Sequence, residues 1–245
     1  YAKINLTLDV LGKLPNGYHS VRMVMQTLSL HDTVSVSLDS SGKTTLHCSL
    51  PYLPADRTNL ACRAADAFYH ATGIANPGTV ISLEKQIPIA AGLAGGSADA
   101  AAVLRALDTL HGTALGDERL CAAGLSLGAD VPYCILGGTA LAEGIGEQLT
   151  PLPPLPDCHI LVAKPRAEVS TKYVYEHLDA QGITRHPDID GMVLAIRQGS
   201  LEGIARRMEN VLETVTVPAH PVIAEIKKRM LESGAANSLM SGSGP

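Results

Sequence analysis

Pro88-Ile89-Ala90-Ala91-Gly92-Leu93-Ala94-Gly95-Gly96-Ser97-Ala98-Asp99 is the stretch on which the reading of this chain turns. Thr79 to Ile87 before it is β-like, and the Ala/Leu-rich run after it continues to Leu110 and Gly112. The order is strand, glycine-rich loop, helix. Three glycines and three alanines at positions 90–96 leave little side-chain bulk, so a large ligand can approach the backbone. The following helix offers unpaired N–H groups and the positive end of its dipole, a combination suited to polyphosphate. Ser97 is placed to cap that helix, or to bind phosphate or a phosphate-bound metal. The loop lacks the Lys-Ser/Thr ending of a P-loop, and its glycine spacing is not the dinucleotide fingerprint. Two readings stay open from the loop alone: a phosphate cradle, or a tight strand-to-helix turn packed on a sheet.

The 245 residues exceed the common single-domain size and predict two compact domains. A hydrophobic content of 46% with 18% charged residues excludes a disordered chain. No apolar run reaches the ~18 residues of a membrane span. Nineteen Lys+Arg against 24 Asp+Glu give a net charge of −5, which argues against nucleic-acid backbone binding as the main task. With one Phe, seven Tyr and no Trp, the core is expected to be Ala, Val, Ile and Leu, so a Tyr in a turn stands out. Cys48, Cys62, Cys121, Cys134 and Cys158 show no CxxC spacing and an odd count. Neither a disulfide framework nor a zinc site is expected; reduced thiols in a cytosol-like compartment are. No signal peptide is visible. Tyr1 falls inside a strand pattern and Pro245 inside a Gly-rich turn, so both ends are expected to be trimmed.

Ile4, Leu6, Leu8 and Val10 alternate with Lys3, Asn5, Thr7 and Asp9, predicting a strand with one apolar and one polar face. Pro15-Asn16-Gly17 marks a turn, and residues 2–30 read as a hairpin, with strand-like patterning to Val36. A short strand is expected near 43–50. Thr58 is the expected N-cap of a helix through Ala71 that Gly73 ends. A helix is expected over 117–127, a turn at Gly128-Ala129-Asp130-Val131-Pro132, and hairpin strands over 135–150. Pro151 to Pro156 holds four prolines in six positions, which places a domain boundary there, between 1–150 and 151–245. Beyond it Cys158 to Lys164 reads as a buried strand, followed by helices near 170–180, 188–198, 200–213 and 219–233 and a short strand near 237–241, an α+β module.

Gly92-Leu93-Ala94-Gly95-Gly96-Ser97-Ala98 resembles the Gly-Leu-Gly-Gly-Gly-Ser-Ser/Ala loop of the GHMP small-molecule kinase superfamily, with Ala94 in place of the middle glycine. Ala2-Lys3-Ile4-Asn5-Leu6 resembles that family's first motif. Ser238-Leu239-Met240-Ser241-Gly242-Ser243-Gly244-Pro245 resembles its third, a second glycine-rich loop that closes near the phosphates. The resemblance implies a two-domain α+β fold: an N-terminal α/β ATP-binding domain with the phosphate loop, and a C-terminal ferredoxin-like domain, expected to be truncated since the family pattern continues past Pro245 with a strand. The implied active site lies in the cleft between them. Asn16-Gly17-Tyr18-His19, Gly128 to Pro132, Ala142 to Glu147, and Pro165 through Val169-Ser170-Thr171 to Tyr175 resemble one branch in particular. That branch uses ATP to phosphorylate the 2-hydroxyl of CDP-linked methylerythritol in non-mevalonate isoprenoid synthesis. The alternatives are another kinase of the superfamily, for homoserine, mevalonate or a sugar, or a non-catalytic nucleotide-binding module.

Asp130 on its own reads as an ordinary turn aspartate; the resemblance makes it the catalytic carboxylate that removes or orients the hydroxyl proton. Lys3, otherwise on a solvated strand face, becomes a second catalytic residue beside Asp130 and the hydroxyl, and Asn5 a substrate anchor. Lys85 reads either as a nucleotide phosphate or base contact or as a surface lysine; the cofactor-binding segment is Pro88 to Ala98. The resemblance sets Tyr18 to stack on cytosine, His19 to bond its edge, and Tyr175, four residues after Thr171, to form the second wall, with Tyr173 as the other candidate. Mg²⁺ is expected to accompany ATP, held by phosphates and water rather than by a protein cage.

Overall fold

In the computed structural model, residues 1–178, 183 and 185–244 are described; Pro245 and the last two positions of the helix expected over 170–180 lie outside them. The chain runs β1 (Lys3–Lys13), β2 (His19–Thr27), β3 (Thr33–Leu38), β4 (Thr44–Cys48), α1 (Leu60–Thr72), β5 (Thr79–Glu84), α2 (Gly95–His111), α3 (Gly116–Leu125), α4 (Asp130–Leu136), β6 (Thr139–Glu143), β7 (Gln148–Leu152), α5 (Thr171–His177), α6 (Ile189–Arg197), α7 (Leu201–Ala205), β8 (Glu209–Asn210), α8 (Glu213–Ala219) and α9 (Val222–Glu232). Backbone contacts divide it into two compact units. Unit 1 holds Tyr1–Ala2, Leu28–Ile89 and Ala94–Gly137; unit 2 holds Lys3–Thr27, Ala90–Leu93 and Gly138–Pro245. The compact units are therefore not the consecutive segments 1–150 and 151–245. Strand pairing is the reason: β2 bonds to β6 and β1 to β8, which draws the first hairpin into the unit of the later chain.

Unit 1 packs helices on a three-stranded sheet of order β3-β5-β4, with β5 antiparallel to β3 and parallel to β4. Its core is mostly Ala, Val, Ile and Leu, with Cys62, Tyr69 and the chain's one phenylalanine, the fully buried Phe68. Burying such a ring removes about 1.5–3 kcal/mol of apolar exposure. The N-cap of α1 is Asn59, not Thr58: Asn59 Oδ1 accepts Ala61 N at 3.0 Å, while Thr58 bonds to Asp56. Gly73 ends α1 in the left-handed conformation, as expected. Residues 128–132 are only partly a turn. Asp130 opens α4, and Pro132 sits in its first turn, where a missing N–H costs no helical bond.

Unit 2 is built on a five-stranded sheet of order β7-β6-β2-β1-β8. The β1–β2 hairpin follows the sequence reading, turning through Leu14–Tyr18, and so does β6–β7 except at its start, where residues 135–136 close α4 and the strand begins at Thr139. Every residue from Lys3 to Val10 is buried, so the polar row of β1 is not a solvated face. Alternation assigns residues to two faces; it does not say that one of them meets water. Residues 157–163 form no strand and are exposed, so the run Cys158 to Lys164 is not the buried strand its apolarity predicts. Residues 237–241 form no strand either, and the helix expected over 200–213 is α7, then β8, with α8 beginning at 213.

Candidate active site

The glycine-rich loop is shaped by three left-handed residues at alternate positions, Ala90 (φ 51°), Gly92 (φ 64°) and Ala94 (φ 58°). Left-handed alanine costs about 1–2 kcal/mol, so the methyl at Ala94 taxes the backbone rather than crowding the cradle. Ala91 and Leu93 are buried and pin the loop, while Pro88, Ile89, Ala90 and Gly96 are exposed. Lys3 N donates to Leu93 O at 3.0 Å, fastening the loop to the start of β1. Ala98 N donates to Ala94 O, which leaves the amides of Gly95, Gly96 and Ser97 as the helix's first turn. A Cβ on Gly95 would meet Ile87 Cγ2 at 3.1 Å, and one on Gly96 would meet Leu60 Cδ1 at 3.4 Å. Packing against Ile87 is tight only at Gly95; at Gly96, which is exposed, a methyl would make an ordinary contact, and the small residues at 94–96 leave the first amides of the helix as a cradle suited to a triphosphate.

Within unit 2, β1 and the second glycine-rich loop meet the first. A Cβ on Gly92 would lie 2.5 Å from Ser241 O, so the two loops approach backbone to backbone. Asn5 N donates to Ser241 Oγ at 3.1 Å. Lys3 Nζ donates to Asn5 Oδ1 at 2.9 Å, and Asn5 Nδ2 lies 3.0 Å from Met23 Sδ. Thr171 Oγ1 is 2.8 Å from Ser243 Oγ. Lys3, Asn5 and Thr171, chosen from sequence, are thus joined to one loop.

His19 and Tyr175 are brought together, their ring centroids 5.0 Å apart and their planes 34° apart. Burial and, second, the nearby Lys13 hold the His19 pKa below its ordinary value, which favours the neutral imidazole with one donor and one acceptor. Tyr18, beside it, is 60% exposed. Tyr173 stacks on His177 at 3.9 Å instead, so of the two tyrosines it is Tyr175 that faces His19.

In unit 1, Lys85 is not on the surface. Its ammonium is buried between Asp32 and Asp99, 2.6 Å from Asp99 Oδ2. Asp32 also accepts Gln86 N at 2.6 Å and Ile87 N at 2.9 Å. Burial alone would lower the Lys85 pKa, but its bonds to both carboxylates raise it. Burial would likewise raise Asp32, yet Lys85 and the two amides hold it below the usual range. Asp99 goes the other way: burial, helped by Asp32, outweighs Lys85 and pushes it up to about 6. This cluster ties the strand end entering the loop to α2, which leaves it. Asp130, half-buried, begins α4 of the same unit, where a carboxylate is favoured by the helix dipole.

Asp32 was missed in sequence because nothing near it marks it, and Asp99 because it reads as part of the loop's helix. Among the described residues no three His, Cys, Asp or Glu side chains form a metal-binding group, and no helix is long and apolar enough to cross a membrane.

The family model for the GHMP kinases N terminal domain matches residues 59–138, and that for GHMP kinases C terminal matches 192–245, on either side of the proline-rich stretch. A 4-diphosphocytidyl-2-C-methyl-D-erythritol kinase of Lachnoclostridium phytofermentans is 52% identical over 245 residues, 100% of this chain and 84% of that protein. A crystal structure of 4-(cytidine 5'-diphospho)-2C-methyl-D-erythritol kinase superposes with a TM-score of 0.80 at 35% identity, covering 100% of this chain and 85% of that one. A homoserine kinase from Cytophaga hutchinsonii shares the fold, with a TM-score of 0.68 at 21% identity, 99% of this chain and 83% of that one being covered.

Proposed function

This chain belongs to the GHMP kinases, among the 4-diphosphocytidyl-2-C-methyl-D-erythritol kinases, and we propose that it phosphorylates that alcohol at its 2-hydroxyl through Lys3 and Asp130. It is an ATP-dependent phosphotransferase of non-mevalonate isoprenoid synthesis. The observation that carries the assignment is 52% identity over the whole chain to an enzyme of that name.

The first amides of α2 and the segment Pro88 to Ala98 hold the triphosphate of ATP. The 2-oxygen bonds to the γ-phosphorus as the bond to the β,γ-bridging oxygen breaks, and ADP leaves. Asp130 orients the hydroxyl and takes its proton; Lys3 stabilises the negative charge that gathers on the transferred group. Asn5 and Thr171 hold the acceptor. His19 reads the cytosine edge, with Tyr18 and Tyr175 on its faces. Mg²⁺ accompanying ATP would supply charge neutralisation at the phosphates, with Ser97 the residue placed to meet it. The free thiols of all five cysteines fit a cytoplasmic enzyme.

The test is incubation of the protein with ATP, Mg²⁺ and the CDP-linked alcohol, which yields ADP and the 2-phosphate. Turnover of homoserine or mevalonate in its place would move the chain to another branch. Asp130→Asn lowers kcat by about a hundredfold or more with little change in ATP binding, and Tyr18→Ala raises KM for the cytidine substrate by about tenfold. An unchanged KM in the second variant would remove the base from the site.

A further inference from the structure

Residues 238–243 form no strand, yet Ser238, Met240, Gly242 and Ser243 are buried. Buried backbone groups need partners. Here they come from three side chains spaced three apart, Asn210, Glu213 and Thr216. Asn210 is 3% exposed; its Nδ2 donates to Met240 O at 2.7 Å and to Gly242 O at 2.8 Å, while its Oδ1 accepts Leu212 N at 2.9 Å. Glu213 Oε1 accepts Met240 N at 2.8 Å, and Lys227 Nζ lies 2.6 Å from both of its oxygens. Thr216 Oγ1 donates to Ser243 O at 3.1 Å. From its other side the same loop receives Asn5 N, bonds Thr171 and presses on Gly92.

We propose that Asn210, with Glu213 and Thr216, is the positioning set for phosphoryl transfer: it fixes the second glycine-rich loop, and through that loop the placement of Asn5, Thr171 and Gly92. This rests on the kinase assignment above. An amide is required at 210, because one side chain there must give two N–H bonds to carbonyls and accept one from an amide. An aspartate of the same shape would set an oxygen against two carbonyl oxygens. Effects on geometry should fall on turnover more than on substrate affinity.

The test uses the full chain with Thr216→Val, Thr216→Ser and Asn210→Asp. Three quantities are read: kcat and KM for both substrates, thermal unfolding, and hydrogen exchange of the amides of residues 240–244 without ligand. Thr216→Val should lower kcat about five- to tenfold with each KM within about twofold, and should speed exchange at 240–244. Thr216→Ser should restore both. Asn210→Asp should cost about a hundredfold in kcat; if it does not fold, the Thr216 pair decides. A folded Thr216→Val protein with wild-type kcat overturns the proposal, whatever its exchange. Wild-type protein inactive on the CDP-linked alcohol, with faster exchange in Thr216→Val, overturns the kinase assignment while leaving the clamp in place.

Discussion

The two glycine-rich loops are alike in composition and unlike in what holds them. Residues 88–98 are tied mainly at their ends: buried charges at Asp32, Lys85 and Asp99 join the entering strand to the leaving helix, while the left-handed span between has the backbone bond from Lys3 N to Leu93 O. Residues 238–244 are tied along their length, atom by atom, by Asn210, Glu213 and Thr216. Anchors of buried charge respond to pH and fail abruptly when one member is removed. Of the second loop's anchors only Glu213 is charged, paired with Lys227; the neutral hydrogen bonds of Asn210 and Thr216 lose strength in small steps.

The sharpest contrast comes from Lys85→Met, which leaves two buried carboxylates without their cation. It should destabilise the protein by about 3–5 kcal/mol, read by chemical denaturation; Thr216→Val should cost about 1 kcal/mol on the same assay. Equal losses would erase the distinction. Gly92→Ala comes next, since its methyl would collide with the Ser241 carbonyl, a backbone atom that cannot swing aside. A loss of about a hundredfold in kcat/KM, about 2.7 kcal/mol, is expected. Gly242→Ala meets Asn5 Oδ1 only at 3.7 Å and should lose about tenfold, from its left-handed backbone.

Asp99 supplies the pH experiment. Its folded pKa, about 6, lies above its ordinary 3.8. Between those values the folded protein binds the extra proton, so stability falls as pH rises through that window, by about 1–3 kcal/mol. Asp32 has the opposite sign: its contribution is present above pH 3.8 and is lost as pH falls through its lowered folded value. Asp99→Asn should abolish the decline between pH 4 and 6, and parallel unfolding curves for variant and wild type would refute this. The smallest effect is Ala94→Gly. Relief of left-handed strain and added freedom of the unfolded chain oppose each other, leaving a change within about 1 kcal/mol.

What the sequence exposed was what is local. The glycine loop and its helix, the alternation of β1, the turn at 15–17 and the stop at Gly73 each depend on neighbours within a few residues. The burial of Lys3 and Asn5 did not show, because alternation is the same whether a polar row faces water or other protein. Asn210, Glu213 and Thr216 did not show because their partners lie near residue 240, and the segment around them reads only as the end of one helix and the gap before the next. Residues 158–164 misled in the other direction: apolar β-prone residues make a strand only where another backbone meets their hydrogen bonds.

Asn5 and Ser241 are joined across 236 residues of chain, and β1 lies parallel to β8 near position 210. During ribosomal synthesis the first strand therefore emerges long before the groups that complete it. At about 5–20 residues per second it waits on the order of ten seconds or more before Ser241 reaches Asn5. Over that interval β1 has only its pairing with β2, and the bond from Asn5 to the second glycine-rich loop forms only once residue 241 has left the exit tunnel.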